Sequence, residues 1–155
     1  TSTLGIGWMV APPDVVAAVL AHRDNTGTSP SAAGQRVLVE LARHGDLGRH
    51  LRRLRRELST RRELVVGALH AAGLTTLGDD AGAHVVVPLP SLAAEQRVVR
   101  QALDHGALLD GLARHHDGRP TWHGIGIGYT ACTRQELLAV LPAVIRLLVT
   151  ATAEG

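Results

Sequence analysis

The stretch LGRHLRRLRRELSTRRELVVGALHAA, residues 47–72, predicts one long amphipathic helix. Its apolar residues recur mostly at intervals of three, four or seven, which aligns them in a single stripe along a helix. The stripe consists of Leu47, Leu51, Leu54, Leu58, Val65, Ala68 and Ala72. Arginines fill much of the remaining surface, and Gly73 predicts the end of the helix. The rest of the chain must supply a surface for this stripe.

Upstream of this helix, the pattern predicts one strand and two shorter helices. The run LGIGWMV, residues 4–10, is apolar without alternation, as in a strand buried on both faces. Pro12, Pro13 and Asp14 then predict a turn and the start of a helix over residues 15–22. Ser29 and Pro30 form an N-cap and first-turn pair for a helix over residues 31–43, which ends before Gly45.

Downstream of Gly73, strands alternate with helices. Strands are predicted over residues 83–89, 107–110 and 124–130, and a helix over residues 92–105. Thr133 and Glu136 have the spacing of a capping box and predict a final helix, in which Pro142 should cause a kink. The order of these segments predicts a mixed α/β fold.

Length and composition indicate a soluble cytoplasmic protein. The 155 residues suit one domain or a compact part of a larger one, and 45% of them are apolar. The lone cysteine, Cys132, excludes an internal disulfide and is typical of a reducing compartment. No signal peptide is recognised at the start. The most apolar stretch, residues 137–153, contains Pro142 and Arg146 and is shorter than the ~20 residues of a membrane span.

All sixteen basic residues are arginines, so the sequence contains no lysine. Schiff-base catalysis requires a primary amine, which a guanidinium group does not provide. Lysine-dependent covalent catalysis by these residues is therefore excluded.

Three patterns raise alternative functions, and each has a simpler explanation. The arginines of residues 49–62 suit a nucleic acid, but glutamates are interspersed and no aromatic residue is near, so a solvated face is favoured. His84, His115, His116 and His123 lack the spacing of a metal site, with Cys132 alone as a soft ligand.

The third pattern, Gly126-x-Gly128-x-x-Ala131, matches only a loose dinucleotide fingerprint, and small residues at a close backbone approach explain it better. No G-x-S-x-G motif is present either. We therefore assign no catalytic, cofactor-binding or metal-binding residue in this chain.

Four stretches, in order, resemble the aminotransferase-like domain of MocR-type regulators in the GntR group, which have the fold of type I pyridoxal-phosphate enzymes. They are LGIGWMVAPPDVV, QRVLVELARHGDLGRHLRRLRRELSTRRELVVGAL, AGAHVVVPLP and HGIGIGYTACTRQELLAVLPAVIRLL. The resemblance implies that residues 1–45 are the end of a large-domain strand and its connecting helices. Residues 46–155 would form the C-terminal small domain, an α+β subdomain with the long arginine-rich connecting helix and a small, mainly antiparallel sheet of three or four strands covered by helices.

In such regulators a winged helix binds DNA, and the aminotransferase-like part senses pyridoxal phosphate or an amine, usually as a dimer. The resemblance thus implies a homodimeric parent protein with a large domain and a winged-helix domain upstream, and no direct nucleic-acid contact by this chain. The family's Schiff-base lysine should lie just upstream of Thr1. Its phosphate-binding arginine is replaced by Gly5, and its substrate-carboxylate arginine by Gly126.

We therefore expect a ligand-sensing region of a transcriptional regulator, here a fragment that is catalytically inert and free of cofactor. Pyridoxal phosphate stays possible in the parent protein. The alternative is a C-terminal fragment of a working class I/II aminotransferase. A third hypothesis is a module that keeps the fold only for dimerisation, because the apolar residues 4–10 should remain uncovered and promote self-association.

Overall fold

A computed structural model describes residues 6–80 and 82–153 of the chain. Backbone contacts divide the chain into two compact units, Thr1–Arg53 and Leu54–Gly155. The first unit contains helices α1 (Pro13–Thr26) and α2 (Ala32–Arg43), and the second contains the sheet. Helix α3 (Asp46–Ala71) begins in the first unit and ends in the second. The division of the chain into a large-domain end and a small domain stays a prediction.

The two helices of the first unit have the expected kinds of ends. Pro13 opens α1, and Gly27 closes it with a φ of 65°. The Ser31 hydroxyl accepts a hydrogen bond from the Gly34 amide at 3.2 Å, which caps α2. The predicted cap at Ser29 is therefore wrong by two residues, because the helix begins at Ala32 and Ser31 is its N-cap.

The strand predicted over residues 4–10 is not present in its described part. Leu4 and Gly5 lie outside the described residues, and residues 6–10 form neither strand nor helix. A strand requires a hydrogen-bonded neighbour, and the described residues of the first unit contain helices but no strand. Trp8 and Val10 are consequently 78% and 96% exposed.

Helix α3 confirms the long amphipathic helix. It has 26 residues, and Gly73, with a φ of 77°, follows its end. The Leu74 amide donates to the Leu69 carbonyl at 3.0 Å, which satisfies the last turn. Of the stripe, Val65 is buried in the core, and Leu58, Ala68 and Ala72 are partly buried against it. Leu69, which the stripe did not include, is also buried in the core.

The sheet has three antiparallel strands in the order β1-β3-β2. Their bounds are β1 (His84–Pro88), β2 (Asp110–Gly111) and β3 (Gly124–Gly128). Helix α4 (Leu92–Asp104) connects the two outer strands, and a short 3₁₀ helix follows β2. The mixed α/β fold with a small antiparallel sheet is thereby confirmed. The strand predicted over 107–110 is displaced, because the Ala107 amide still bonds to the Ala102 carbonyl at the end of α4.

The core of the second unit lies between one face of the sheet and three helices. Val85, Val87, Ile125 and Ile127 supply the sheet side. The helices contribute Val65, Leu69, Ala94, Val98, Ala102, Leu137, Leu141, Val144 and Leu148. Because β3 is antiparallel to both neighbours, the glycines of this strand do not open a parallel β-α-β dinucleotide unit.

Helix α5 (Arg134–Ala153) begins with the predicted capping box. The Thr133 amide donates to the Glu136 carboxylate at 2.7 Å, and the Glu136 amide donates to the Thr133 hydroxyl at 3.2 Å. The first of these bonds stabilises the charged carboxylate and lowers the pKa of Glu136. Helical geometry continues through Pro142.

In the described part of the chain, α5 is one helix long and apolar enough, by length and composition alone, to span a membrane. The helix has 20 residues because it begins three residues before the apolar stretch 137–153. A core helix of a globular unit has the same properties, and the buried face of α5 supplies Leu141 and Leu148 to the core.

A buried carboxylate joins α4 to the segment between β2 and β3. Glu95 is 3% exposed. Its two oxygens accept hydrogen bonds from the amides of Ala113 and Gly124, each at 2.9 Å. Gly111 leaves room for this carboxylate, because a Cβ at this position would lie 2.6 Å from Oε1 of Glu95. Glu95 therefore holds the loop that precedes the central strand.

We expect Glu95→Ala to lower the free energy of unfolding by about 2–4 kcal/mol, since two buried amides would lose a charged acceptor. Glu95→Gln keeps one acceptor and should cost about half as much. Urea denaturation followed by circular dichroism measures both values. Gln96→Ala, at an exposed position of the same helix, is the control. Equal stability of Glu95→Ala and the unsubstituted chain would contradict the role of this carboxylate.

Candidate functional site

The candidate site is the sheet face opposite the core, which we call the outer face. Side chains alternate between the two faces of a sheet, and residues that pair across strands lie on the same face. The outer face therefore consists of His84, Val86, Pro88, Gly124, Gly126 and Gly128. Three glycines on the central strand leave this face without side chains along its middle. Gly124 and Gly126 are nevertheless buried, whereas Gly128 and His84 at the other end of this face are exposed.

Gly126 is the residue that the family resemblance places at the substrate-carboxylate position. It pairs with Asp110 of β2, and a Cβ at position 126 would lie 3.4–3.9 Å from atoms of Asp110. The Asp110 carboxylate is 2.6 Å from Nε of Arg114 and 2.9 Å from Nε2 of His115. The three atoms nearest to such a Cβ all belong to Asp110: its backbone oxygen at 3.4 Å, its Cβ at 3.5 Å and Oδ2 of its carboxylate at 3.9 Å. Glycine itself offers no side-chain donor to a ligand carboxylate at this position.

Gly124 differs from Gly126 in its surroundings. A Cβ at position 124 would lie 2.7 Å from the backbone oxygen of Val87, a distance that requires the strands to separate. The contacts at position 126 are ordinary van der Waals distances. Close approach of two backbones therefore explains Gly124, and it does not explain Gly126.

Two arginines of α3 hold the segments at the ends of β1 and β3. Arg61 donates to the backbone oxygens of Tyr129 and Cys132, and its other nitrogen pairs with Glu57. Arg62 donates to the Asp79 carbonyl at 2.8 Å. These bonds show that Arg61 and Arg62, at the C-terminal end of the arginine-rich stretch 49–62, stabilise the fold by binding backbone oxygens.

Tyr129 closes the turn after β3. Its side chain is fully buried, and its hydroxyl donates to the Gly82 carbonyl at 2.9 Å. Burial raises the pKa of Tyr129 above its ordinary value, and the charge of Arg62 opposes this shift. The hydroxyl is therefore a neutral structural donor at ordinary pH.

The histidines that suggested a metal site make different contacts. His115 pairs with Asp110, whereas His123 lies in the loop before β3, where its carbonyl accepts from the Leu89 amide at 2.9 Å. In residues 6–80 and 82–153, no three His, Cys, Asp or Glu side chains gather as metal ligands would.

Comparisons with known proteins connect this fold to a family. Residues 2–117 match the family model described as aminotransferase class I and II, which is most of the chain. The chain belongs to this aminotransferase family. Its small antiparallel sheet and long helix are thus part of an aminotransferase-like region.

Three curated relatives are named as regulators. The chain is 29% identical over 130 residues to the probable rhizopine catabolism regulatory protein MocR of Rhizobium meliloti, across 82% of this chain and 26% of the relative. It is 22% identical over 138 residues to the uncharacterized HTH-type transcriptional regulator YhdI of Bacillus subtilis, across 87% of this chain and 29% of the relative. It is 31% identical over 111 residues to YdfD, a second uncharacterized HTH-type transcriptional regulator of Bacillus subtilis, across 69% of this chain and 23% of the relative.

The resemblance to MocR-type regulators is therefore confirmed. The chain spans about a quarter of the length of these relatives. That Gly5 and Gly126 replace two arginines of the family stays a prediction. Gly5 lies outside the described residues, and Gly126 lies at the centre of the outer face.

Sequence reasoning missed the ion-pair cluster of Asp110, Arg114 and His115, and the buried Glu95. The spacing of Asp110 and Arg114 by four residues was a local signal for their pairing. Their position beside Gly126 was not a local property, because it depends on the register between β2 and β3.

A matched pair of substitutions tests whether packing requires these glycines. Gly124→Ala should destabilise the aminotransferase-like region by about 1–3 kcal/mol, since its Cβ would overlap a backbone oxygen. Gly126→Ala should change stability by less than about 1 kcal/mol. Thermal or urea unfolding of the two variants measures the difference. A larger loss at Gly126 than at Gly124 would show that packing excludes a side chain at position 126.

Proposed function

We propose that this chain is the ligand-sensing region of a transcriptional regulator, corresponding to the C-terminal small domain of a fold-type I transferase, and that it is catalytically inert by itself. The observation that carries the proposal is the similarity to three proteins named as regulatory proteins or HTH-type transcriptional regulators. The membership of the aminotransferase family accounts for the fold. The site chemistry supports the absence of catalysis.

Two features of the chain support inertness. First, its sixteen cationic side chains are all arginines, and none of them forms an imine with an aldehyde. Second, the resemblance assigns the family's carboxylate-binding position to Gly126, and Asp110 lies beside it. An arginine at such a position binds a carboxylate through a charge-assisted, bidentate hydrogen-bond pair, and each charged bond contributes about 1.5–3 kcal/mol. Glycine contributes none of this.

Pyridoxal phosphate is the cofactor that the resemblance implies for the parent protein. The residues of this chain do not suit it, because they supply no amine for its aldehyde and place a carboxylate beside Gly126. We therefore derive no chemical step through this cofactor. In the parent protein, its binding would depend on residues outside this chain.

The parent protein that we propose is a cytoplasmic homodimer of the GntR group with a winged-helix DNA-binding domain and a large domain. Exposed apolar side chains in the first unit support burial against a further protein surface. Trp8 is 78% exposed and Met9 is 54% exposed, and α1 has no buried residue. Apolar patches of this kind mark interaction sites in soluble proteins.

Titration of the chain with pyridoxal phosphate tests its inertness. We expect no stable internal-aldimine absorbance band, because the sequence offers no side-chain amine. After borohydride reduction, mass mapping should locate any adduct at the α-amino group of the peptide. The same chain with an acetylated N-terminus is the control and should give no adduct.

A stable aldimine band in the acetylated chain would contradict the proposal. The alternative function, a fragment of a working class I/II aminotransferase, belongs to the same family. Turnover of amino acids by the longer protein separates the two functions, because a regulator does not require turnover to respond to a ligand.

A further inference from the structure

The N-terminal half of α3 carries a group of arginines that the sensing role does not use. Five of the eight residues from 49 to 56 are arginines, and none is acidic. Arg49 pairs with Asp46. Within the described part of the chain, Arg52, Arg53, Arg55 and Arg56 are exposed and form no hydrogen bond or ion pair through their side chains.

Four of these arginines lie on one side of the helix. With about 100° between successive residues, Arg49, Arg52, Arg53 and Arg56 fall within an arc of about 100°. We call this group the arginine face. The centre of its arc lies about 180° from the centre of the stripe formed by Leu47, Leu51, Leu54 and Leu58. A surface that covers the leucines therefore leaves the arginine face exposed.

The glutamates that suggested charge compensation do not provide it. Glu57 pairs with Arg61, whose guanidinium is held at the turn after β3. Glu63 lies seven residues beyond Arg56, or about 10 Å along the helix axis. The reason for regarding these arginines as a balanced, solvated face is thus removed for residues 52–56.

We propose that the arginine face contacts the phosphate backbone of duplex DNA beside the site that the regulator recognises. This inference rests on the proposed function for its choice of polyanion, because a transcriptional regulator holds its sensing region close to DNA. It departs from the expectation that this chain makes no direct nucleic-acid contact.

The contact is with phosphates and independent of base sequence. Guanidinium groups pair with phosphates through two parallel hydrogen bonds, and binding gains from counterion release. Residues 46–71 contain no Phe, Tyr or Trp to stack on a base. The arginine face therefore adds affinity and salt dependence without adding sequence specificity.

Fluorescence anisotropy with a short labelled duplex of arbitrary sequence tests the proposal on the 155-residue chain at low salt. We compare the unsubstituted chain with a triple variant, Arg52→Gln, Arg53→Gln and Arg56→Gln. A charge-matched control carries Arg100→Gln, Arg119→Gln and Arg146→Gln, all at exposed positions. Circular dichroism checks that each variant is folded. A third variant with Arg→Lys at positions 52, 53 and 56 keeps the charge.

We expect the arginine-face variant to bind at least about tenfold more weakly, and the slope of log K against log salt to fall by about 0.9 for each lost phosphate contact. The control should retain its affinity within about threefold, and the lysine variant should retain most of its binding. Binding to anionic phospholipid vesicles is measured as well, because a membrane surface is the competing phosphate-bearing partner.

Three results would overturn the proposal: no binding of the duplex by the unsubstituted chain, equal losses in the two glutamine variants, or binding of the vesicles without binding of the duplex. Failure of the proposed function is a separate result. It would appear as a longer protein that recognises no DNA site, whereas the chain assay reports on the arginine face alone.

Discussion

The pairing of β3 with a strand on each side is the interaction on which the rest of this structure depends. It directs Ile125 and Ile127 into the core and places Gly126 beside Asp110 on the outer face. The Glu95 carboxylate supports this arrangement by holding the amide of Gly124, where β3 begins. A shift of one residue in this register would exchange the two faces and expose the core.

Much of the fold could be predicted from local patterns. The long helix, its end at Gly73, and the capping box of Thr133 and Glu136 depend on residues near each other in sequence. The strand over residues 4–10 could not be judged in this way, because an apolar run becomes a strand only beside another strand. Likewise, residue spacing in α3 does not reveal which leucines are covered.

The candidate site was predictable only in part. The glycine at position 126 was identified by resemblance to the aminotransferase-like family, but the carboxylate beside it follows from pairing between strands that are distant in sequence. An acid paired with Arg114 and His115 thus lies beside the position that the resemblance assigns to a carboxylate-binding arginine. One fold can carry sites of different chemistry, which is why family membership alone does not establish function.

The central claim is that the fold serves regulation rather than catalysis. The most direct measurement uses the longer protein that contains this chain and sequences the genomic DNA fragments that it retains, with amino-acid turnover assayed on the same preparation in the presence of pyridoxal phosphate. The account predicts enrichment of a discrete DNA site and no turnover. Turnover of an amino acid without enrichment of any DNA site would contradict it.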